Sequence, residues 1–417
     1  MRILKLTATT EAALMKRREG QDRDAHRAAA RIVADVKRRG DAALDDWARK
    51  LDGVDVRGKS LWITRAETNA ARKKVDREFI RAVEHAASNV RRVAEKQLPQ
   101  AWSLEVEPGV NVAQVIRPID SIGCYIPGGR LALFSTMIMT VVPARVAGVK
   151  RILVVCPRAN DGILAAANLL GVTHLARVGG AHAIAALAYG TKRIDAVEKI
   201  FGPGNRYVTA AKHIISSDCA IDLPAGPTEA IVLARSGNAR WIAADLLAQA
   251  EHAPDAGSYL VTTSPRLARQ VQDEITQQLK LLPRSNPAHI STVKSGAILV
   301  APTWDEAIAF VNHFAPEHLS LPESTPSLLE KIHSAGTIFV GPLSAQPFGD
   351  YASGSNHVLP TGGWARRRGG LSANEFVKQI SVQSIRPAGY RRLASDVQVL
   401  ARSEGLLAHA NAVEVRK

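Results

Sequence analysis

An acid and an imidazole stand side by side in Ala315-Pro316-Glu317-His318-Leu319, just after a proline whose fixed φ sets the direction of the chain. Such a pair suits proton transfer, because each group can give or take a proton within reach of one reacting centre. Taken alone, it also reads as a satisfied surface pair. A second set lies in WIAADLLAQAEHAPD, where Asp245, Gln249 and His252 recur at i, i+4 and i+7 on one helical face, with Leu246, Leu247 and Ala250 supplying an apolar face. Imidazole is a common zinc ligand and a carboxamide a poor one, so spacing alone leaves a polar helix end closed by Pro254 as the simpler reading. Asp350 and His357 sit in GDYASGSNHVLPTGG, a stretch of small polar residues better suited to a functional loop than to a core.

No GxGxxG follows a strand-like run, so the usual dinucleotide fingerprint is absent. Three other glycine turns fall at predicted strand ends, where exposed amides can approach a cofactor. They are Tyr125-Ile126-Pro127-Gly128-Gly129, Gly179-Gly180-Ala181-His182 and Gly202-Pro203-Gly204-Asn205. Any one of them is an ordinary turn; three between residues 120 and 210 suggest a site.

The elements that must carry these groups follow from periodicity. From about 22 to 100 the sequence is charged and helical in period, with breaks at Gly40-Asp41 and Gly53. From Val115 onward, short β-branched runs such as IDSIGCYIP, RILVVCP, THLARVG and AVEKIFGPG alternate with helical stretches such as DGILAAANLL and AHAIAALAYG, which predicts a parallel sheet with helices on its faces. A second α/β segment starts near Glu229 and runs through SYLVTTS and GAILVAP to GTIFVGP. After Leu371 the pattern predicts a compact, mainly helical tail that packs on its own chain or on a neighbour.

A chain of 417 residues with 46% hydrophobic content can bury a large core and form two or more domains. The first twenty residues hold no apolar run of the signal-peptide kind, and the most apolar stretch, Leu131 to Ala144, is too short to cross a bilayer and reads as core. Cys124, Cys156 and Cys219 form no CxxC pair, which argues against a disulfide framework and a thiolate zinc site and fits a cytoplasmic protein. The net charge of +15 raises the question of nucleic acid, but the cations are scattered and the densest groups, Arg366-Arg367-Arg368 and Lys73-Lys74, lack interleaved aromatics. No specific nucleic-acid or membrane partner is expected.

These motifs also fall in a known order. GCYIPGG, GGAHAIAALAYGT, FGPGNRYV, IDLPAGPTEA, DLLAQAEHAPD, APEHL, GDYASGSNHVLPT and EGLLAHANAV are colinear from about residue 30 to the C-terminus, and the chain so resembles the histidinol dehydrogenases. The resemblance implies one Zn2+ per subunit on Gln249, His252, Asp350 and His409, and acid-base chemistry by Glu317 and His318. It places NAD near Tyr125, His182 and Asn205, and the substrate L-histidinol against Thr228, Gln249, His252, His318, Asp350, His357, Glu404 and His409. It implies an α/β fold of two incomplete Rossmann-like domains with parallel sheets and small N-terminal and C-terminal helical extensions. The expected boundaries are 1–20 for the N-terminal extension, 21–124 with 228–371 for a discontinuous domain bearing the metal and catalytic residues, 125–227 for the NAD-binding side, and 372–417 for a tail completing the partner's site in a homodimer.

The chain departs from the family pattern at three places. His182 stands where glutamine is usual, Thr228 where serine is common, and Arg130-Leu131-Ala132-Leu133-Phe134 differs from the shorter, proline-containing stretch expected there. The first two are expected to affect affinity rather than reaction type. Two other readings stay open on sequence alone: a paralogue oxidising another small alcohol, such as a sulfonated diol, and a non-catalytic nucleic-acid binder using the basic surface.

Overall fold

Runs of aliphatic and β-branched residues form the strands of the computed structural model, which describes residues 1–417 apart from 19–22, 58–60, 129–132, 224–225 and 324. In chain order the first strands are β1 (Arg2–Lys5), β2 (Trp102–Glu107), β3 (Val110–Pro118), β4 (Ser121–Tyr125), β5 (Arg151–Val155), β6 (His174–Ala176), β7 (Lys199–Phe201) and β8 (Ala220–Ile221). There follow β9 (Glu229–Leu233), β10 (Gly257–Thr262), β11 (Ala297–Val300), β12 (His318–Leu321), β13 (Thr337–Val340) and β14 (Val377–Ile385). Gly129 and Arg130–Ala132, part of a predicted turn and of the divergent stretch, lie outside the described residues, as do the positions around the expected boundary at 20.

Two parallel sheets result, one ordered β6-β5-β4-β7-β8 and the other β1-β11-β10-β9-β12-β13. Such sheets need apolar cover on both faces. On the five-stranded sheet one face is covered by helices Arg23–Arg39, Gly180–Tyr189 and Arg206–Ile215, the other by Arg77–Gln97, Phe134–Val146 and Asp161–Leu169. The six-stranded sheet is covered by Ala8–Arg18 and Trp304–Phe314 on one face and by Ala239–Ala250 and Pro265–Leu279 on the other. The expected α/β class with parallel sheets is therefore what the chain adopts. Among the described residues no helix is long and apolar enough to cross a membrane.

Three segments pack differently from the sequence reading. Residues 1–20, expected as an extension, contain β1, an edge strand pairing in parallel with β11, because Ile3 and Leu4 continue the apolar layer there. The helical region after residue 21, expected to join the larger unit, packs instead on helices Gly180–Tyr189 and Arg206–Ile215, burying Ala29, Ile32, Val33 and Val36 against the five-stranded sheet. The tail is not mainly helical from its start: β14 pairs antiparallel with β3 over nine residues, and β2 completes a third, three-stranded sheet. Beyond it, helix Pro387–Ser403 carries helix Leu407–Glu414.

Candidate active site

The six-stranded sheet presents its amino edge to the candidate acid-base pair. Helix Trp304–Phe314 ends at Ala315, whose φ of 50° is left-handed and turns the chain into Pro316 and Glu317. His318 then opens β12 opposite Ala230 of β9. Both side chains are buried, at 7% and 3% exposure, which removes the surface-pair reading. Glu317 Oε2 accepts the Thr228 hydroxyl at 2.5 Å and the Glu229 amide at 2.9 Å. His318 Nδ1 lies 3.7 Å from Glu317 Oε2 and Nε2 lies 3.6 Å from Asp350 Oδ1, so both ring nitrogens are buried without a hydrogen-bond partner.

Burial raises the proton affinity of the Glu317 carboxyl, and the His318 charge and the two hydrogen bonds only partly offset it. For His318, burial acts to lower the pKa, but Glu317 and Asp350 outweigh it and the pKa is raised. Burial acts to raise the Asp350 pKa; the close approach and charge of His318, with the charges of His357 and His252, turn it below the usual value. The arrangement favours an imidazolium between two carboxylates once the ring takes a proton.

Helix Ala239–Ala250 starts at Asn238, whose side chain caps the amides of Arg240 and Trp241, and delivers Gln249 from its last turn to the same edge. Gln249 Nε2 donates to Thr228 Oγ1 at 2.9 Å, while its Oε1 accepts from Gln346 at 2.7 Å. The helix stops at Ala250, so His252 is carried by the following turn, with Nδ1 donating to the Ala248 carbonyl at 3.0 Å. Burial pushes the Asp245 carboxyl up to about 6. His357 Nδ1 donates to the Asp350 carbonyl at 2.8 Å, and its Nε2 lies 3.3 Å from Thr136 Oγ1. Burial lowers the His357 pKa.

The donor set for a zinc ion can be tested on these contacts. A ligating histidine usually directs one nitrogen at a carbonyl and leaves the other for the metal, and His252 has that form. Gln249 Oε1 keeps a lone pair beyond its bond to Gln346, and Asp350 is an ionised carboxylate nearby. These three residues fit the group. His409 and Glu404 are exposed on the tail and do not join them within one chain. Among the described residues no cluster of three His, Cys, Asp or Glu side chains is gathered as for a cation; of the four expected ligands one is a carboxamide and another lies in the tail.

The five-stranded sheet presents its carboxyl edge. Its order reverses between β4 and β7, the switch point where open α/β sheets form a crevice. Tyr125 ends β4 there, and its hydroxyl oxygen accepts the Gly180 amide at 3.2 Å; burial pushes its phenol up to about 12. Gly202, at φ 114°, passes so close that a Cβ would lie 2.2 Å from the Tyr125 carbonyl oxygen. Lys212 donates to the Gly202 carbonyl at 2.9 Å, and Asp222 accepts its amide at 2.7 Å. Asn205 caps helix Arg206–Ile215 through Oδ1 and stays exposed. His182 is fully buried beneath the neighbouring turn and paired with Asp52 at 3.0 Å.

Thr136 and Gln346 are site contacts that the sequence reading missed. Gln346 stands one helical turn before Asp350, a spacing that could have revealed it. Thr136 gave no such signal inside an apolar run. The thiols of Cys124 and Cys156 are pushed up to about 12 and that of Cys219 to about 11, all by burial, so none is a ready nucleophile. Arg368 donates to the Asp222 carbonyl and pairs with Glu375, giving one member of the arginine triplet a structural use.

The family model of histidinol dehydrogenase matches residues 15–417. A histidinol dehydrogenase of Methanothermobacter thermautotrophicus is 45% identical over 392 residues, covering 92% of each chain. One of Geobacillus kaustophilus is 44% identical over 405 residues, covering 95% of each. A crystal structure of histidinol dehydrogenase from Elizabethkingia anophelis superposes with a TM-score of 0.94 at 38% identity, over 100% of this chain and 98% of that one.

Proposed function

The chain belongs to the histidinol dehydrogenase family, and from that premise we propose that it oxidises L-histidinol through L-histidinal to L-histidine, with NAD as acceptor in both steps and one zinc ion per subunit. The observation that carries this reading is the buried cluster of Glu317, His318 and Thr228, in which both His318 nitrogens are free to move a proton. Gln249, His252 and Asp350 would hold the zinc, with His409 from a second copy of the chain. When bound, NAD accepts hydride and zinc anchors the amine and imidazole nitrogens of the substrate.

In the first oxidation His318 takes the hydroxyl proton as the carbon gives up hydride, and the imidazolium rests between Glu317 and Asp350. In the second, water adds to the aldehyde carbon and one of its protons passes to Glu317, whose Oε2 is fixed by Thr228 and Glu229. The hydrate anion so formed then loses hydride, leaving the carboxylic acid. Burial of Glu317 suits it to the base role by raising its proton affinity. Tyr125 and Asn205 would contact the cofactor, and His357 and Thr228 the substrate.

A homodimer accounts for the remaining surface. The tail exposes Leu400, Leu407 and Val415 at 65%, 69% and 67%, large apolar groups that a partner would cover. His409 and Glu404 lie on that same tail, where they would complete the neighbour's site. The reading is tested by NADH production from L-histidinol against a panel of other small alcohols; preference for a sulfonated diol would assign the chain to a paralogous activity.

A further inference from the structure

Beneath the Gly179-Gly180 turn lies a carboxylate-imidazole pair that the proposed chemistry does not use. Asp52 closes a π-helical turn, Ala48–Asp52, and its backbone carbonyl is held by Arg158 Nε and Nη2 at 3.0 and 2.8 Å. Its Oδ2 accepts the Gly179 amide at 3.0 Å and pairs with His182 Nε2 at 3.0 Å. A carboxylate only accepts, so His182 Nε2 carries the proton, and in the neutral ring Nδ1 is left as an acceptor. That Nδ1 is fully buried without a partner. The Cε1-Nδ1 edge packs 3.2 Å from where a Cβ on Gly180 would stand, beneath the first residue of helix Gly180–Tyr189. Tyr125 spends an oxygen lone pair on the Gly180 amide and keeps its hydroxyl hydrogen.

We propose that Asp52 is a positioning residue of the dinucleotide site, acting through His182. By holding Nε2–H, it fixes the ring so that Nδ1 accepts a hydrogen bond from a hydroxyl or amide N–H of the bound dinucleotide, beside the donating hydroxyl of Tyr125. This rests on the reading that NAD binds at the carboxyl edge of the five-stranded sheet. Asp52 lies in a separate helical segment far earlier in the chain, so sequence spacing gives no hint of it.

Replacing Asp52 by Ala removes the acceptor that holds Nε2–H, so the ring is no longer fixed with Nδ1 as an acceptor toward the dinucleotide. The D52A variant should bind NAD roughly tenfold more weakly, the scale of one hydrogen bond. Binding is measured directly by titration calorimetry on the full-length protein. H182A should weaken binding similarly, and adding D52A to H182A should cost nothing further. Ring 15N spectra of His182 in the native protein supply a measurement independent of any variant: Nδ1 should be unprotonated, and its resonance should move when NAD is added. Unchanged NAD affinity in D52A, multiplicative losses in the double variant, a protonated Nδ1, or an Nδ1 resonance indifferent to NAD would each overturn the proposal. Absence of NAD binding by the native protein would instead overturn the cofactor reading on which it stands.

Discussion

The two parallel sheets turn opposite edges to the candidate site. The five-stranded sheet offers the carboxyl ends of its strands, where Tyr125, Gly179-Gly180 and Gly202 bring close-packed glycine turns to a reversal of strand order. The six-stranded sheet offers the amino ends of β9 and β12, where Thr228, Glu317 and His318 converge as side chains. A carboxyl edge with glycine turns lets a long ligand lie against the main chain. An amino edge fed by the last turn of Ala239–Ala250 concentrates titratable groups and leaves the main chain paired. Under the proposed function the molecule thus divides recognition of a large cofactor from proton chemistry on a small substrate.

The largest test of that division is removal of zinc. Chelation should abolish turnover while circular dichroism stays native, because the proposed ligands sit on preformed elements; full activity without zinc would remove Gln249, His252, Asp350 and His409 from the metal role. Next comes Glu317→Gln, which should lower histidinal oxidation by roughly 10²- to 10⁴-fold, the range for a lost general base, with NAD affinity unaltered. A native rate from that variant with normal zinc content would move the water-activating role elsewhere.

On the other edge, Gly202→Ala must place a methyl group against the Tyr125 carbonyl at a φ that L-residues rarely adopt. It should destabilise the protein by roughly 2–4 kcal/mol, from strain and overpacking together, and weaken NAD binding more than histidinol binding. An unchanged urea midpoint would contradict this. The smallest effect is expected at Lys199, which opens β7 at the unused amino edge of the same sheet and bonds Glu375 at 3.0 Å. Burial pushes its ammonium down from 10.5 to about 8. The unfolded chain therefore holds more protons between those values, and stability contributed by this group rises with pH from about 8 to 10.5. Lys199→Met should flatten that rise in denaturation curves at pH 8 and 10 and leave NAD affinity as it was; an identical pH response would show that the group is not desolvated.

What was legible in the sequence follows the same division. Strands such as β5 and β10 announce themselves because a strand buried on both faces is a continuous apolar run. β14 did not, since KQISVQSI mixes polar and β-branched residues on two exposed faces and owes its form to pairing with β3. In the site, Glu317 and His318 were visible as neighbours and Gln249 and His252 by helical spacing. Asp52, Thr136 and Gln346 depend on contacts across 130, 221 and 97 residues, which no local pattern encodes.

The path of the chain through the sheets also bears on how such a protein can change. It begins in the six-stranded sheet at β1, crosses to the five-stranded one for β4 to β8, and returns for β9 to β13. It then comes back once more to stack Phe376 on Phe201, with ring centroids 4.1 Å apart. Neither sheet is therefore a cassette that recombination could lift out at two cut points: exchanging the segment of β4 to β8 would leave behind the helix Arg23–Arg39 and Phe376 that cover it. The two sheets are bound to vary together, residue by residue, rather than by swapping one against another scaffold.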